Sequence, residues 1–228
     1  MIDLYAVRLD KIQTLVPDLY DRVLNTAEKR HVSRQKIERV RHQRVLSRAV
    51  LRLILSSHTH EHAQNIQIHT TTYGKPYLKN KNLYFNVSHT NHMLIIALST
   101  QYDVGIDIEY QNTDIQVQNI PKQCFHPEEW EHFLSLSDQD KQQFFLKMWT
   151  QKEAASKAIG LGFHSPFQHI NTLNQSHTLT INAQKVQQHR IKTPRKQYIV
   201  ALASVSMPTY QAKPWKELHH EWIKQCSI

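Results

Sequence analysis

The sequence predicts an α+β fold laid down twice, as two similar halves of one 228-residue chain. Two long segments carry apolar residues at helical spacing. Short apolar runs with strand-like alternation surround each of them. The order strand, helices, then strands occurs once in residues 1–102 and again in residues 103–228. The halves share no clear sequence repeat, and no Gly-, Pro- or Ser-rich linker divides them. The turn Gln101 to Asp103 is the best border.

The first half opens on a strand, Ile2 to Arg8, where apolar residues alternate. A basic helix is expected from Ala27 to about Ser57. Val40, Val45, Leu46, Val50, Leu51, Leu53 and Ile54 recur there at helical spacing, among Lys29, Arg30, Arg34, Lys36, Arg39, Arg41, Arg44, Arg48 and Arg52. Strands follow near Ile66 to His69, Leu83 to Val87 and Met93 to Leu98. The second half opens on the strand Val104 to Glu109, and helices are expected from Pro127 to Ile159. The run from Asp138 to Ile159 holds good helix formers and no proline, and Gly160 and Gly162 supply its stop. Strands are then expected near Leu179 to Ile181, Val186 to Ile191 and Gln197 to Val205.

Composition bounds the function. A formal net charge of +9 points to anionic partners without choosing among nucleic acid, an anionic cofactor and an acidic protein. Aromatic residues do not interleave with the basic helix as a base-stacking platform needs, which argues against nucleic acid. Two cysteines, Cys124 and Cys226, give no framework of bridges, so reduced thiols are the default. No signal peptide or membrane-length apolar run is read, so a cytoplasmic protein with no membrane partner is expected. His58, His60 and His62 alternate in HTHEH, which reads as a polar helix-to-strand connection rather than a zinc site.

The chemistry gathers in two stretches. In a strand, Asp107 and Glu109 share a face while Ile106 and Ile108 turn to the core. Alone, such a pair is a common solvated strand face. Trp149, Glu153 and Lys157 stand four apart on one helix face, where the plain reading is a core Trp with a surface Glu-Lys pair. Set side by side, the two stretches offer three carboxylates and an ammonium. Hard carboxylate oxygens suit Mg2+, which keeps open positions for substrate phosphates.

Four motifs in order, YGKP (Tyr73 to Pro76), FNVSHT (Phe85 to Thr90), VGIDIE (Val104 to Glu109) and WTQKEAASKAIGLG (Trp149 to Gly162), carry a resemblance. From about Tyr73 to Gly162 the chain resembles 4′-phosphopantetheinyl transferases of the surfactin-synthetase-associated type. The resemblance implies a Mg2+-dependent enzyme with coenzyme A as co-substrate. It would move the phosphopantetheine arm onto a serine of an apo acyl or peptidyl carrier protein and release adenosine 3′,5′-bisphosphate. It also implies two pseudo-symmetric α+β halves with coenzyme A in the cleft between them, so that a monomer carries a whole site.

Carried onto this sequence, the resemblance implies that Asp107, Glu109 and Glu153 ligate the metal and that Lys157 touches the coenzyme A phosphates. Lys75, Ser88 and His89 would hold the nucleotide end and its 3′-phosphate, with Lys29 and Arg39 as further cations. Arg48 and Arg52 are read as supporting packing or ion pairs. The catalytic assignments are Lys157 for charge neutralisation and Glu153 as first candidate for the base that takes the serine proton. The polar loop Gln111 to Phe125, with Ile115 and Ile120, would form part of the carrier-docking surface. A metal-dependent phosphoesterase using water as nucleophile is the rival from another class.

Overall fold

The computed structural model describes residues 2–79, 82–90, 92–111, 115–174, 177–189, 191, 196–205 and 216–226. The described elements run β1 (Ile2–Arg8), α1 (Val16–Arg22), α2 (Thr26–Ser33), α3 (Glu38–Thr59), β2 (Ile68–Thr70), β3 (Pro76–Leu78), β4 (Tyr84–Thr90), β5 (Met93–Ser99) and β6 (Val104–Tyr110). They continue with α4 (Pro127–Ser135), α5 (Asp138–Ile159), β7 (Thr178–Ile181), β8 (Gln184–His189), β9 (Tyr198–Val205), β10 (Lys216–Leu218) and α6 (His220–Cys226). The fold is α+β, as the sequence predicts. No described helix is long and apolar enough to cross a membrane.

The described residues fall into two compact units. One lies within Met1–Leu4, His69–Asn91 and Ile95–Trp215, the other within Tyr5–Ile68, His92–Leu94 and Lys216–Ile228. Residues 69–90 therefore share a unit with β6 and α5, and that unit contains the four motifs.

In the unit built around α3, the long basic helix expected from Ala27 to Ser57 is two helices. Chain direction changes at 34–37, where Ile37 takes an extended conformation ahead of α3. The break falls where nothing packs: from Ser33 to Ile37 no residue is buried, and Ile37 is 66% exposed. A helix without an apolar face to pack has little to hold it there. From Val45 to Leu55 α3 is almost wholly buried. Asn25 and Glu28 close the start of α2 as a capping box. The same Glu28 carboxylate pairs with the buried Arg52 guanidinium at 2.5 Å, and Arg52 also donates to the carbonyls of Ala63 and Ile66. Arg52 thus supports packing as expected, whereas Arg48 is exposed. Of the HTHEH histidines, His58 Nε2 lies 2.8 Å from the Tyr5 hydroxyl and His60 is the left-handed cap of α3. β10 pairs in parallel with Tyr5 to Val7 of β1.

In the other unit, β6, β9, β8 and β7 form an antiparallel sheet in that order. The helix α5 packs on the sheet face that carries Ala201 and Ala203, through Ala154, Ala155 and Ala158. Those alanines pair across the ladder with Asp107 and Gly105. Small side chains let the helix come close, and at Gly105 the approach is at its limit. A Cβ placed there would stand 2.0 Å from the Ala154 carbonyl oxygen and 2.2 Å from the Ala158 nitrogen. The C-terminus of α5 turns on Gly160 in the left-handed conformation, φ 80°.

A buried charge pair ties α4 to α5. Lys152 and Glu129, both fully buried, meet at 2.5 Å. Lys152 donates further to the carbonyls of Cys124 and Phe167, and Glu129 accepts from His126 N, Thr172 N and the Thr172 hydroxyl. Beside it, Phe125, Phe133 and Met148 form a small core that Val117 and Ile120 pack against. Ile120 of the proposed docking loop is thus partly used in packing, and residues 112–114 of that loop lie outside the described residues. The short β3, β10 and α6 lie outside the predicted elements, being too brief to show a period.

Gly105→Ala should cost at least about 1–3 kcal/mol by overpacking, read as a lower urea midpoint. Glu129→Gln, which leaves the Lys152 ammonium without its counterion, should cost about 3–5 kcal/mol, and the paired replacement Glu129→Leu with Lys152→Met should recover most of that loss in the same assay.

Candidate active site

The face of β6 that meets α5 carries Gly105, Asp107 and Glu109 in succession, while Val104, Ile106 and Ile108 are buried on the other. Because the helix lies so close at Gly105, its side chains Glu153 and Lys157 reach the same end of the strand. The Lys157 ammonium stands 2.6 Å from Asp107 Oδ1 and 3.9 Å from Glu153 Oε2. Ser88, on β4, donates its hydroxyl proton to Asp107 Oδ1 at 2.8 Å and accepts from Lys157 at 3.2 Å. Ser88, Asp107, Glu153 and Lys157 therefore form one cluster, with Ser88, Asp107 and Glu153 each about 5% exposed.

The cluster holds more negative charge than its lysine balances. Asp107 Oδ2 and Glu153 Oε1 are buried with no hydrogen-bond partner. Burial pushes the Glu109 carboxyl up to about 7, Asp107 and Glu153 adding to the rise and Lys157 opposing it. Burial likewise raises Glu153 to about 7, with Lys157 opposing and Asp107 adding. Among the described residues no three His, Cys, Asp or Glu side chains stand together in a geometry ready for a metal ion. The donor set still fits a hard divalent cation. Asp107 and Glu153, both against the Lys157 ammonium and both felt electrostatically by Glu109, each leave one buried oxygen without a partner, and a hard cation is a group that would satisfy such oxygens.

The remaining predicted residues lie around or apart from this cluster. His89 is exposed on β4. Lys75 makes its contacts away from Asp107, at Asp103 Oδ1 and the Ala158 carbonyl, each at 2.6 Å. Burial pushes its ammonium below the usual lysine range, against the pull of Asp103. Lys29 and Arg39 belong to the other unit and are respectively half-buried and exposed. Lys29 donates to the Asp21 carbonyl at 2.8 Å.

Sequence reasoning missed Asn86. It is 5% exposed on β4, and its side-chain oxygen accepts from Ile106 N at 2.9 Å, fixing β6 against β4 next to Ser88 and Asp107. The signal was present in FNVSHT: an Asn inside a strand run has to satisfy its amide somewhere.

Comparison with known proteins fits this geometry. Residues 18–101 match a family model described as 4′-phosphopantetheinyl transferase, N-terminal, and residues 103–203 match one described as 4′-phosphopantetheinyl transferase superfamily. Over 165 residues the chain is 30% identical to the 4′-phosphopantetheinyl transferase HetI of Nostoc sp., covering 71% of this chain and 69% of that protein. The chain belongs to the 4′-phosphopantetheinyl transferase superfamily. It is also 33% identical over 135 residues to the transferase gsp of Aneurinibacillus migulanus, covering 58% of this chain and 54% of that protein. With the transferase Sfp of Bacillus subtilis it shares 29% over 126 residues, 55% of each chain. The chain thus spans between 54% and 69% of the length of these relatives. The curated relatives are named as 4′-phosphopantetheinyl transferases, a transferase enzyme class.

The raised carboxyls set a pH dependence of stability. Between about pH 4.5 and 7 the folded protein keeps protons on Glu109 and Glu153 that the unfolded chain has released, so this contribution to stability is lost as pH rises through that window. In metal-free protein, Glu109→Gln and Glu153→Gln should each flatten the fall in urea midpoint between those pH values.

Proposed function

We propose that this chain transfers the 4′-phosphopantetheine arm of coenzyme A to a serine hydroxyl of an apo acyl or peptidyl carrier protein, with Mg2+ held by Asp107, Glu109 and Glu153. The observation that carries the proposal is the pair of orphaned oxygens, Asp107 Oδ2 and Glu153 Oε1, beside the Lys157 ammonium. A site so rich in buried carboxylates is built to be completed by a cation. Bound there, magnesium would neutralise charge on a diphosphate and on its leaving oxygen.

In this reading the bond that forms joins the serine oxygen to the β-phosphorus, and the bond that breaks joins that phosphorus to the oxygen bridging to the α-phosphate. Adenosine 3′,5′-bisphosphate leaves. Lys157 places its ammonium against the phosphate oxygens, where charge builds in the transition state. Ser88 orients Lys157 and Asp107 through its hydroxyl, and His89, exposed on the same strand, would hold the nucleotide end as the resemblance implies. Glu153 takes the serine proton, since a carboxylate can ligate the ion and accept a proton in turn. A cytoplasmic monomer with no nucleic-acid partner completes the proposal.

The test is a mass measurement. Incubated with coenzyme A, magnesium and an apo carrier, the protein should yield a carrier heavier by the phosphopantetheine group, and chelation should stop the reaction until magnesium is restored. Consumption of coenzyme A without any carrier would instead mark a hydrolase. Glu153→Gln should lower kcat by about 10²–10⁴. A variant that binds coenzyme A and magnesium normally and keeps the original rate removes Glu153 as the base. Independently of activity, magnesium should raise Tm more at pH 8 than at pH 6, since the ion competes with protons on Glu109 and Glu153.

A further inference from the structure

We propose that Lys75 is a positioning residue: it locks the last turn of α5 onto the start of β6 and so holds Lys157 in place, rather than gripping a phosphate. The inference rests on the transferase reading above for its kinetic consequence, but its geometry stands by itself. The Lys75 side chain is 10% exposed, and its ammonium donates to Asp103 Oδ1 and to the Ala158 carbonyl oxygen, each at 2.6 Å.

Each partner says what the contact does. The carbonyl of Ala158 is among the last four of α5, which have no partner within the helix. Gly160 N and Leu161 N both turn back to the Ser156 carbonyl, and Lys75 takes that of Ala158. A cation at a helix C-terminus also complements the helix dipole. Asp103 immediately precedes β6, the strand that carries Asp107. The stem of Lys75 lies along Gly160, where an added Cβ would be 3.2 Å from Lys75 Cδ. The turn that presents Lys75 is itself closed, with Thr71 N on the Lys75 carbonyl at 2.9 Å and Lys75 N on the Thr71 hydroxyl at 3.1 Å.

One side chain therefore ties three segments, and Lys157 directly precedes Ala158. The Lys157 contacts with Asp107 and Ser88 cross from α5 to β6 and β4. They depend on the end of the helix staying in register with the strand. Loosening the Lys75 contact frees that end to shift, and a shift of about 1 Å in a reacting group can cost up to about 100-fold in rate.

The experiment uses the full chain with coenzyme A and an apo carrier, at a temperature well below each variant's Tm. Lys75→Met should lower kcat by about 10- to 100-fold with the KM for coenzyme A within about twofold. Asp103→Asn should shift the same parameter in the same direction, and the double variant should be no worse than Lys75→Met, because both remove one contact. Amide exchange at Gly160 and Leu161 should speed up in Lys75→Met while the middle of α5 stays protected. A KM raised tenfold or more with kcat preserved would overturn the proposal in favour of a phosphate contact. So would wild-type kcat, or unchanged exchange at Gly160 and Leu161. If the wild-type protein labels no carrier, the transferase reading fails, and the exchange measurement still judges the Lys75 clamp.

Discussion

Contact between β6 and α5 at Gly105 governs the geometry of the whole site. Backbone meets backbone there, and Ala201 and Ala203 on the neighbouring strand pack against the helix through side chains of one carbon. Sheet-bound helices usually stand off by the thickness of their side chains. Here that thickness is removed, so a lysine from the helix can sit 2.6 Å from a carboxylate of the strand. Larger residues in this seam would lift Glu153 and Lys157 away from Asp107 and dissolve the cluster without touching any of its members.

That closeness also explains the electrostatics. Asp107 and Glu153 are buried beside Glu109 and a single ammonium, and the imbalance appears as two unpartnered oxygens and two carboxyls shifted to about 7. A protein built only for stability would replace such groups with apolar ones. The unbalanced charge is the feature on which the proposed cation site rests.

Much of this was legible in the sequence. The bounds of α5 follow from a proline-free run closed by Gly160, and the period of two placed Asp107 and Glu109 on one face. Other features were not legible, for physical reasons. The break between α2 and α3 depends on which surface is buried, and Ile37 carries no mark of being exposed. Lys152 and Glu129 look like ordinary surface charges in a helical sequence. Only the packing of α4 on α5 reveals that both are enclosed. Lys75 was legible as part of a motif but not in its contacts, since Asp103 and Ala158 lie far from it along the chain.

Glu28 has a double attachment. Its carboxylate closes the first turn of α2 through Asn25 and balances the guanidinium that holds the carbonyls of Ala63 and Ile66. Fraying at that helix start and release of the 63–66 connection thus cease to be separate fluctuations. Loss of either attachment strips the other of a partner, so the two segments are coupled through one largely buried ion pair.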